Sequence, residues 1–365
     1  MAQIKVENLH KAFAEFVAVQ NSTFTVEDGE FFCLLGPSGC GKTTTLRMIA
    51  GLELPTSGTI TLGGEDVTYL RAAERDIAFV FQLFALYPHM NVRQNIGFPL
   101  KCMGLPQAEI RAKVEAAART LRITHLLDSR VSGLSGGDRQ RIALGRAIVR
   151  EPAAFMMDEP LGALDAEFRH LMCGELRALH DRLRATTVYV THDQMEAMAM
   201  ADKIAVMNRG IIEQYAAPQE IYDRPASLFV ADFIGSPPMN LLNFSGTLAP
   251  GASEVRLNDA AIRVPELREG VGERSLVLGV RPEHVRFSDS GAVRGEVYGT
   301  EYLGTTQIVT LNTPSGSLKA RVPSHLKINT GERLGLDFRA DRLSLFDAGS
   351  GRAIRTALHD GVANG

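Results

Sequence analysis

No apolar run in these 365 residues approaches the roughly 18 that a membrane-spanning helix needs. The opening stretch, MAQIKVENLH, lacks the apolar core of a signal peptide. The chain is therefore expected to stay in the cytoplasm and to reach a membrane only by docking on another protein. An excess of one charge is also missing. Lys and Arg number 39 against 42 Asp and Glu, for a formal net charge of -3. Without a basic excess or a basic stripe, nucleic acid is not expected as a partner. Cysteine is scarce. Cys33, Cys40, Cys102 and Cys173 form neither a CxxC pair nor a zinc-type spacing, so free thiols in a reducing compartment are expected. No low-complexity tract or tandem repeat is present.

What is there is an ordinary globular composition, 45% hydrophobic and 22% charged, over a length that suits two or more domains. In the first two-thirds, short apolar strands alternate with helical stretches. Strands are expected at 31–36, 78–81, 153–158 and 187–191, and helices at 42–51, 107–121 and 166–184. In the last of these helices Phe168, Leu171, Met172, Leu176, Leu179 and Leu183 recur at helical spacing. Such alternation predicts an α/β domain with a largely parallel sheet. The composition changes at Gly235-Ser236-Pro237-Pro238, which reads as a linker. Beyond it strands dominate, at 276–280, 293–302, 307–311, 318–322 and 334–338, separated by turn residues. A small β domain over 236–347, barrel-like, is expected, with a frayed tail over 348–365.

Gly36-Pro37-Ser38-Gly39-Cys40-Gly41-Lys42-Thr43 matches the phosphate-loop pattern between a predicted strand and a predicted helix. Glycines let successive backbone N–H groups curl toward a phosphate, and the helix N-terminus adds partial positive charge. Ser38, Gly39, Cys40, Gly41, Lys42, Thr43 and Thr44 are the candidate ATP-binding residues here. Lys42 suits the terminal phosphates and the Thr43 hydroxyl suits Mg²⁺. Farther on, an apolar strand ends in Asp158-Glu159. Asp158 suits Mg²⁺, and Glu159, facing the other way, suits a general base that polarises the attacking water.

Leu134-Ser135-Gly136-Gly137-Asp138 precedes a further helical stretch. It resembles the LSGGQ signature of the ABC ATPases, with Asp138 where Gln is usual. The resemblance covers residues 3 to about 345. It implies an α/β P-loop NTPase domain over 1–235 with an inserted helical subdomain at about 83–150, followed by an all-β, OB-like regulatory domain. It also implies that Ser135, Gly136 and Gly137 face the γ-phosphate held by a second subunit, so the protein works as a homodimer with two ATP at the interface. A carboxylate at 138 would repel the triphosphate unless Arg139 or Arg141 neutralises it. Gln82 resembles the Q-loop glutamine, a contact of Mg²⁺ and water. Leu161-Gly162-Ala163-Leu164-Asp165 resembles the D-loop, Asp165 being its acidic member, with fewer hydrogen-bonding side chains than usual. His192 resembles the switch histidine on the γ-phosphate, and Phe13 the aromatic on which adenine stacks, with Phe16 as a competing platform.

The phrases Met239-Asn240-Leu241-Leu242 and Gly279-Val280-Arg281-Pro282-Glu283-His284-Val285 resemble the extra domain of maltose-type importer ATPases. This implies a peripheral subunit on the cytoplasmic face of a bacterial inner membrane. Its partners would be two permease subunits and, indirectly, a periplasmic solute-binding protein. Leu83, Phe84, Leu86 and Tyr87 are expected as an apolar contact patch for a membrane helix. The implied cargo is a sugar, sugar alcohol, glycoside or glycerol-phosphate-type compound. Alternatives are an importer of polyamine, iron or sulfate, or a soluble ABC ATPase of repair or translation, which would carry a second ATPase half or a long coiled coil.

Overall fold

The computed structural model describes residues 2–162 and 164–360. Two antiparallel strands, β1 (Ile4–Phe13) and β2 (Phe16–Val26), open the chain. Next come β3 (Phe31–Leu35), buried at every position, and α1 (Lys42–Ile49). β4 (Ser57–Leu62) and β5 (Glu65–Asp66) extend the first pair into a four-stranded sheet of order β2-β1-β4-β5. β6 (Ile77–Val80) leads into three helices, α2 (Val92–Cys102), α3 (Gln107–Thr120) and α4 (Gly136–Ile148). Then follow β7 (Ala154–Asp158), α5 (Ala166–Leu183), β8 (Thr186–Thr191), α6 (Gln194–Met200), β9 (Lys203–Asn208) and β10 (Ile211–Ala216). The second sheet has the order β10-β9-β3-β8-β7-β6 and is parallel except at β10. Continuous apolar strands of this kind fit a sheet covered on both faces.

One core joins the two sheets through α1: Ile4 and Val6 of β1, Phe32 and Leu34 of β3, and Leu46 and Ile49 of α1 are buried together. Full burial of a side chain such as Phe32 contributes about 1.5–3 kcal/mol. The core thereby holds the start of α1, and with it the Lys42 loop, against the strand ends. α2, α3 and α4 all lie between residues 92 and 148.

The chain divides into two compact units, Met1–Pro218 and Gln219–Gly365. The division falls ahead of the expected linker at 235–238. The reason lies in Arg281, 2% exposed, whose guanidinium donates to the carbonyls of Tyr222, Ala231 and Ile234. It draws α7 (Pro218–Asp223) and α8 (Leu228–Phe233) into the second unit. That unit continues with β11 (Asn240–Leu248), β12 (Glu254–Leu257), β13 (Ala260–Arg263), β14 (Val271–Val280) and β15 (Val285–Phe287). β16 (Val293–Tyr302), β17 (Thr306–Thr313), β18 (Gly316–Pro323), β19 (Arg333–Phe338) and β20 (Ser344–Asp347) complete it. The strands form antiparallel sheets of order β11-β14-β20, β12-β13 and β15-β19-β16-β17-β18 around one shared core.

Three expectations need correction. Residues 348–360 are not frayed: Ile354 and Thr356 are buried, and bridges tie Ala353 to Phe346 and Thr356 to Leu267. The rest of the expected tail, 361–365, lies outside the described residues. Phe84 does not belong to an exposed patch. Phe84 and Ala85 both take positive φ, 61° and 46°, and Arg146 clamps their carbonyls at 2.8 and 2.7 Å, so the loop folds back and buries the Phe84 ring. Leu83 is fully outward at 83% exposure. Leu171 also points to solvent, and Cys173 and His180 take places on the buried face of α5.

Candidate functional site

β3 delivers the chain to a tight loop and then to α1. Gly41 is the N-cap of α1 at φ 108°, where a Cβ would stand 2.4 Å from the Ala18 carbonyl oxygen. Only glycine fits that backbone. Lys42, 4% exposed, turns its ammonium inward to the carbonyls of Gly36 at 2.8 Å and Pro37 at 2.9 Å. Among the described residues no carboxylate pairs with it. A buried cation without a counter-ion, ringed by loop amides, fits an anionic ligand. Cys40 lies under the same loop, and burial pushes its thiol pKa up against the opposing pull of Lys42.

The end of β7 meets the start of α1. The Thr43 hydroxyl donates to Asp158 Oδ1 at 3.0 Å. Burial pushes the Asp158 carboxyl pKa up, the Thr43 hydroxyl lowers it, and Glu159 raises it further. Among the described residues no group of three or more His, Cys, Asp or Glu is arranged around a metal. A hydroxyl beside one carboxylate is the hard-oxygen donor set that suits Mg²⁺, which takes one or two carboxylates and completes its shell with substrate phosphates and water.

Glu159 breaks the strand with φ 43° while its N–H still donates to the Val190 carbonyl at 3.0 Å. Its side chain collects two others. Gln82 Nε2 donates to Glu159 Oε2 at 3.4 Å, and His192 Nδ1 lies 3.2 Å from the same oxygen. Gln82, Glu159 and His192, far apart in the chain, thus converge on one point because β6, β7 and β8 are neighbouring parallel strands that end together.

The signature stands apart. Ser135 caps α4, its Oγ accepting the Asp138 N–H at 3.2 Å. Gly137 packs so closely on Phe168 that a Cβ would sit 2.1 Å from the ring. Among the described residues no hydrogen bond or ion pair links Ser135, Gly136 or Gly137 to the Lys42 loop. Asp165 caps α5 by accepting the Phe168 N–H at 2.9 Å. Ala163 of the expected D-loop lies outside the described residues. Phe13 and Phe16 face each other across the β1–β2 turn, 43% and 61% exposed, and Lys11 Nζ lies 4.6 Å from the Phe13 ring centre.

Sequence reasoning missed the residues that hold these groups. Arg169 donates to the Leu164 carbonyl and to Asp193 Oδ2, both at 3.0 Å, tying the start of α5 to the residue after His192. Buried Glu196 accepts from the hydroxyls of Tyr189 at 2.8 Å and Thr191 at 2.7 Å, and burial pushes its carboxyl pKa up. Most of these partners lie only five to seven residues away, but across a strand end or a helix start, where no periodic pattern announces them.

Known proteins resemble this chain over most of its length. Residues 19–162 match the ABC transporter family, 235–285 the MalK OB fold domain and 278–346 the TOBE domain. A trehalose/maltose import ATP-binding protein of Thermococcus litoralis is 44% identical over 97% of this chain and 100% of its own length. An sn-glycerol-3-phosphate import ATP-binding protein of Agrobacterium fabrum is 44% identical over 98% of this chain and 95% of its own. Among solved structures, the dimeric structure of a bacterial ABC transporter cassette superposes with a TM-score of 0.54 at 28% identity, over 59% of this chain and 98% of that one. Another crystallised state of that cassette is described as post-hydrolysis, bound to ADP and Pi.

Proposed function

We infer the function from one premise: the chain belongs to the ABC transporter ATP-binding family. It is the ATP-hydrolysing subunit of an importer, and two copies pair head to tail. Each Lys42 loop, with Ser38, Gly39, Cys40, Gly41, Thr43 and Thr44, holds a triphosphate that Ser135, Gly136 and Gly137 of the second copy close over. Phe13 supplies the adenine platform. Asp165 lies at the pairing face. The observation that carries this reading is the convergence of Gln82 and His192 on Glu159, next to the Thr43–Asp158 pair.

Glu159 takes the proton of the attacking water, and His192 and Gln82 fix its carboxylate and the water's approach. Thr43 Oγ1, Asp158 and Gln82 would hold Mg²⁺, which supplies charge neutralisation at the phosphate oxygens. Asp158 would bind as the carboxylate, the form that a dication favours.

Among the described residues no helix is long and apolar enough to cross a membrane. In keeping with the relatives' names as import ATP-binding proteins, the work is delivered to separate permeases at the cytoplasmic face of the membrane. A groove of about 760 Å³ between α2 and α3, lined by His89, Met90, Phe98, Lys101, Ile110 and Val114, offers the seat for a permease helix. The names of the relatives favour a sugar, glycoside or glycerol-phosphate-type cargo over polyamine, iron or sulfate.

Replacing Lys42 by Ala tests the loop. ATP binding and hydrolysis should both fall at least about 100-fold, because the buried charge facing the phosphates is gone. Wild-type turnover in that variant would refute the assignment.

A further inference from the structure

The Ser135 hydroxyl carries one proton, and the structure shows it already given away. Ser135 Oγ donates to Asp138 Oδ2 at 2.7 Å while accepting the Asp138 N–H. Among the described residues the other carboxylate oxygen makes only one long ion pair. Arg141 Nη1 lies 3.9 Å away, and Arg141 commits its Nη2 to Glu175 at 3.1 Å. Arg139 is exposed and forms no ion pair with Asp138 among the described residues. So the Asp138 charge is balanced mainly by the N-terminus of α4 and by the Ser135 hydroxyl. Those are the same two groups that the proposed pairing offers to a γ-phosphate.

We propose that Asp138 is a positioning residue that acts as an internal competitor for the γ-phosphate held by the second copy. The inference rests on the head-to-tail reading above. A hydroxyl can donate to one acceptor at a time. Closure therefore exchanges an intramolecular carboxylate for an intermolecular phosphate, and Asp138 must turn away from Ser135 as the anion arrives. The carboxylate raises the ATP concentration needed to close the pair. It acts on closure rather than on the proton transfer at Glu159, so it governs half-saturation and not the maximal rate. A glutamine at this position would leave the α4 N-terminus uncharged and the serine proton less tightly held.

The test uses the full-length chain with Mg-ATP and follows pairing by light scattering and turnover by phosphate release. Wild type, Asp138→Asn, Ser135→Ala and the double variant are compared, with melting midpoints as the folding control. Asn is isosteric and neutral. Asp138→Asn should lower half-saturating ATP by about threefold to tenfold with the maximal rate changed less than about twofold. In the Ser135→Ala background that shift should shrink, since the contested proton is absent. An unchanged or raised half-saturation in Asp138→Asn, or an equal shift with and without Ser135, overturns the competitor role. A purely capping role would move the melting midpoint alone. Failure of the pairing reading is visible separately, as a wild-type chain that neither pairs nor turns over at any ATP concentration, and the inference falls with it.

Discussion

His180, 7% exposed near the end of α5, stands edge-on to Phe31 with ring centres 5.1 Å apart. Its Nδ1 lies 3.3 Å from the Thr187 hydroxyl, its Nε2 lies 4.0 Å from Asp202, and Arg177 and Asp181 are the other charges that act on it. Burial pushes its pKa down and Arg177 adds to that, while Asp202 and Asp181 oppose. In the unfolded chain the imidazole takes up a proton near its ordinary pKa of about 6.5. In the folded chain it does so only at lower pH. The unfolded state thus binds more protons in that window, and stability must fall as pH drops through it. His180→Gln keeps a partner for Thr187 and removes the titration. Its melting midpoint should fall less than that of wild type between pH 7 and pH 5.5, and an equal fall in both would contradict the account. At this scale the sequence was most readable where the candidate site is built from contiguous residues, as in the Gly36–Thr43 loop and the Asp158-Glu159 strand end. It was least readable where a side chain is claimed by an unexpected neighbour. Nothing in the string Ser135–Asp138 says that the serine proton points to the aspartate, and nothing around Phe84 announces two successive left-handed residues.

Among the elements, α1 bears the site, and its far end is held by Arg75. This guanidinium, 2% exposed and without an ion-pair partner among the described residues, donates to the carbonyls of Met48 and Ile49 at 2.7 and 2.6 Å, and to those of Thr68 and Leu70. The cation satisfies the orphan carbonyls of the helix C-terminus and complements its dipole. Burial pushes the Arg75 pKa down, yet an arginine stays charged at any physiological pH. Arg281 holds the end of α8 by the same device in the second unit. Arg75→Met removes the donor from the carbonyls of Ile49, Thr68 and Leu70, at about 1–3 kcal/mol each, while Met48 keeps the Gly51 N–H at 3.1 Å, so a loss of at least about 3 kcal/mol is expected. The melting midpoint should fall by roughly 6 °C or more, and a midpoint within about 1 °C of wild type would contradict the capping role. Periodicity located β3, β7, β8, α3 and α5 within a few residues. It missed β1, β2, β4, β5, β9 and β10 of the first unit and β11, β12, β13, β15 and β20 of the second, where strands carry mixed polar residues and cross-strand pairing defines them. Long-range arginine caps leave no local trace at all, because their partners are backbone carbonyls.

For the whole molecule, the six-stranded sheet gathers Gln82, Glu159 and His192 beside the Lys42 loop, and leaves Ser135 unlinked to it. On the proposed reading, one copy carries both halves of a triphosphate clamp without closing them on each other. That separation would give the physical reason for pairing, and ATP bridging two copies is what hydrolysis would undo. Glu159→Gln isolates this step, since the amide keeps the shape of the site but cannot accept the water's proton. Turnover should fall by about 10²–10⁴ while binding persists. Sedimentation of this variant measures the claim directly. With saturating Mg-ATP its mass should double, and with ADP it should remain that of one chain. A single-chain mass under saturating ATP would contradict the clamp.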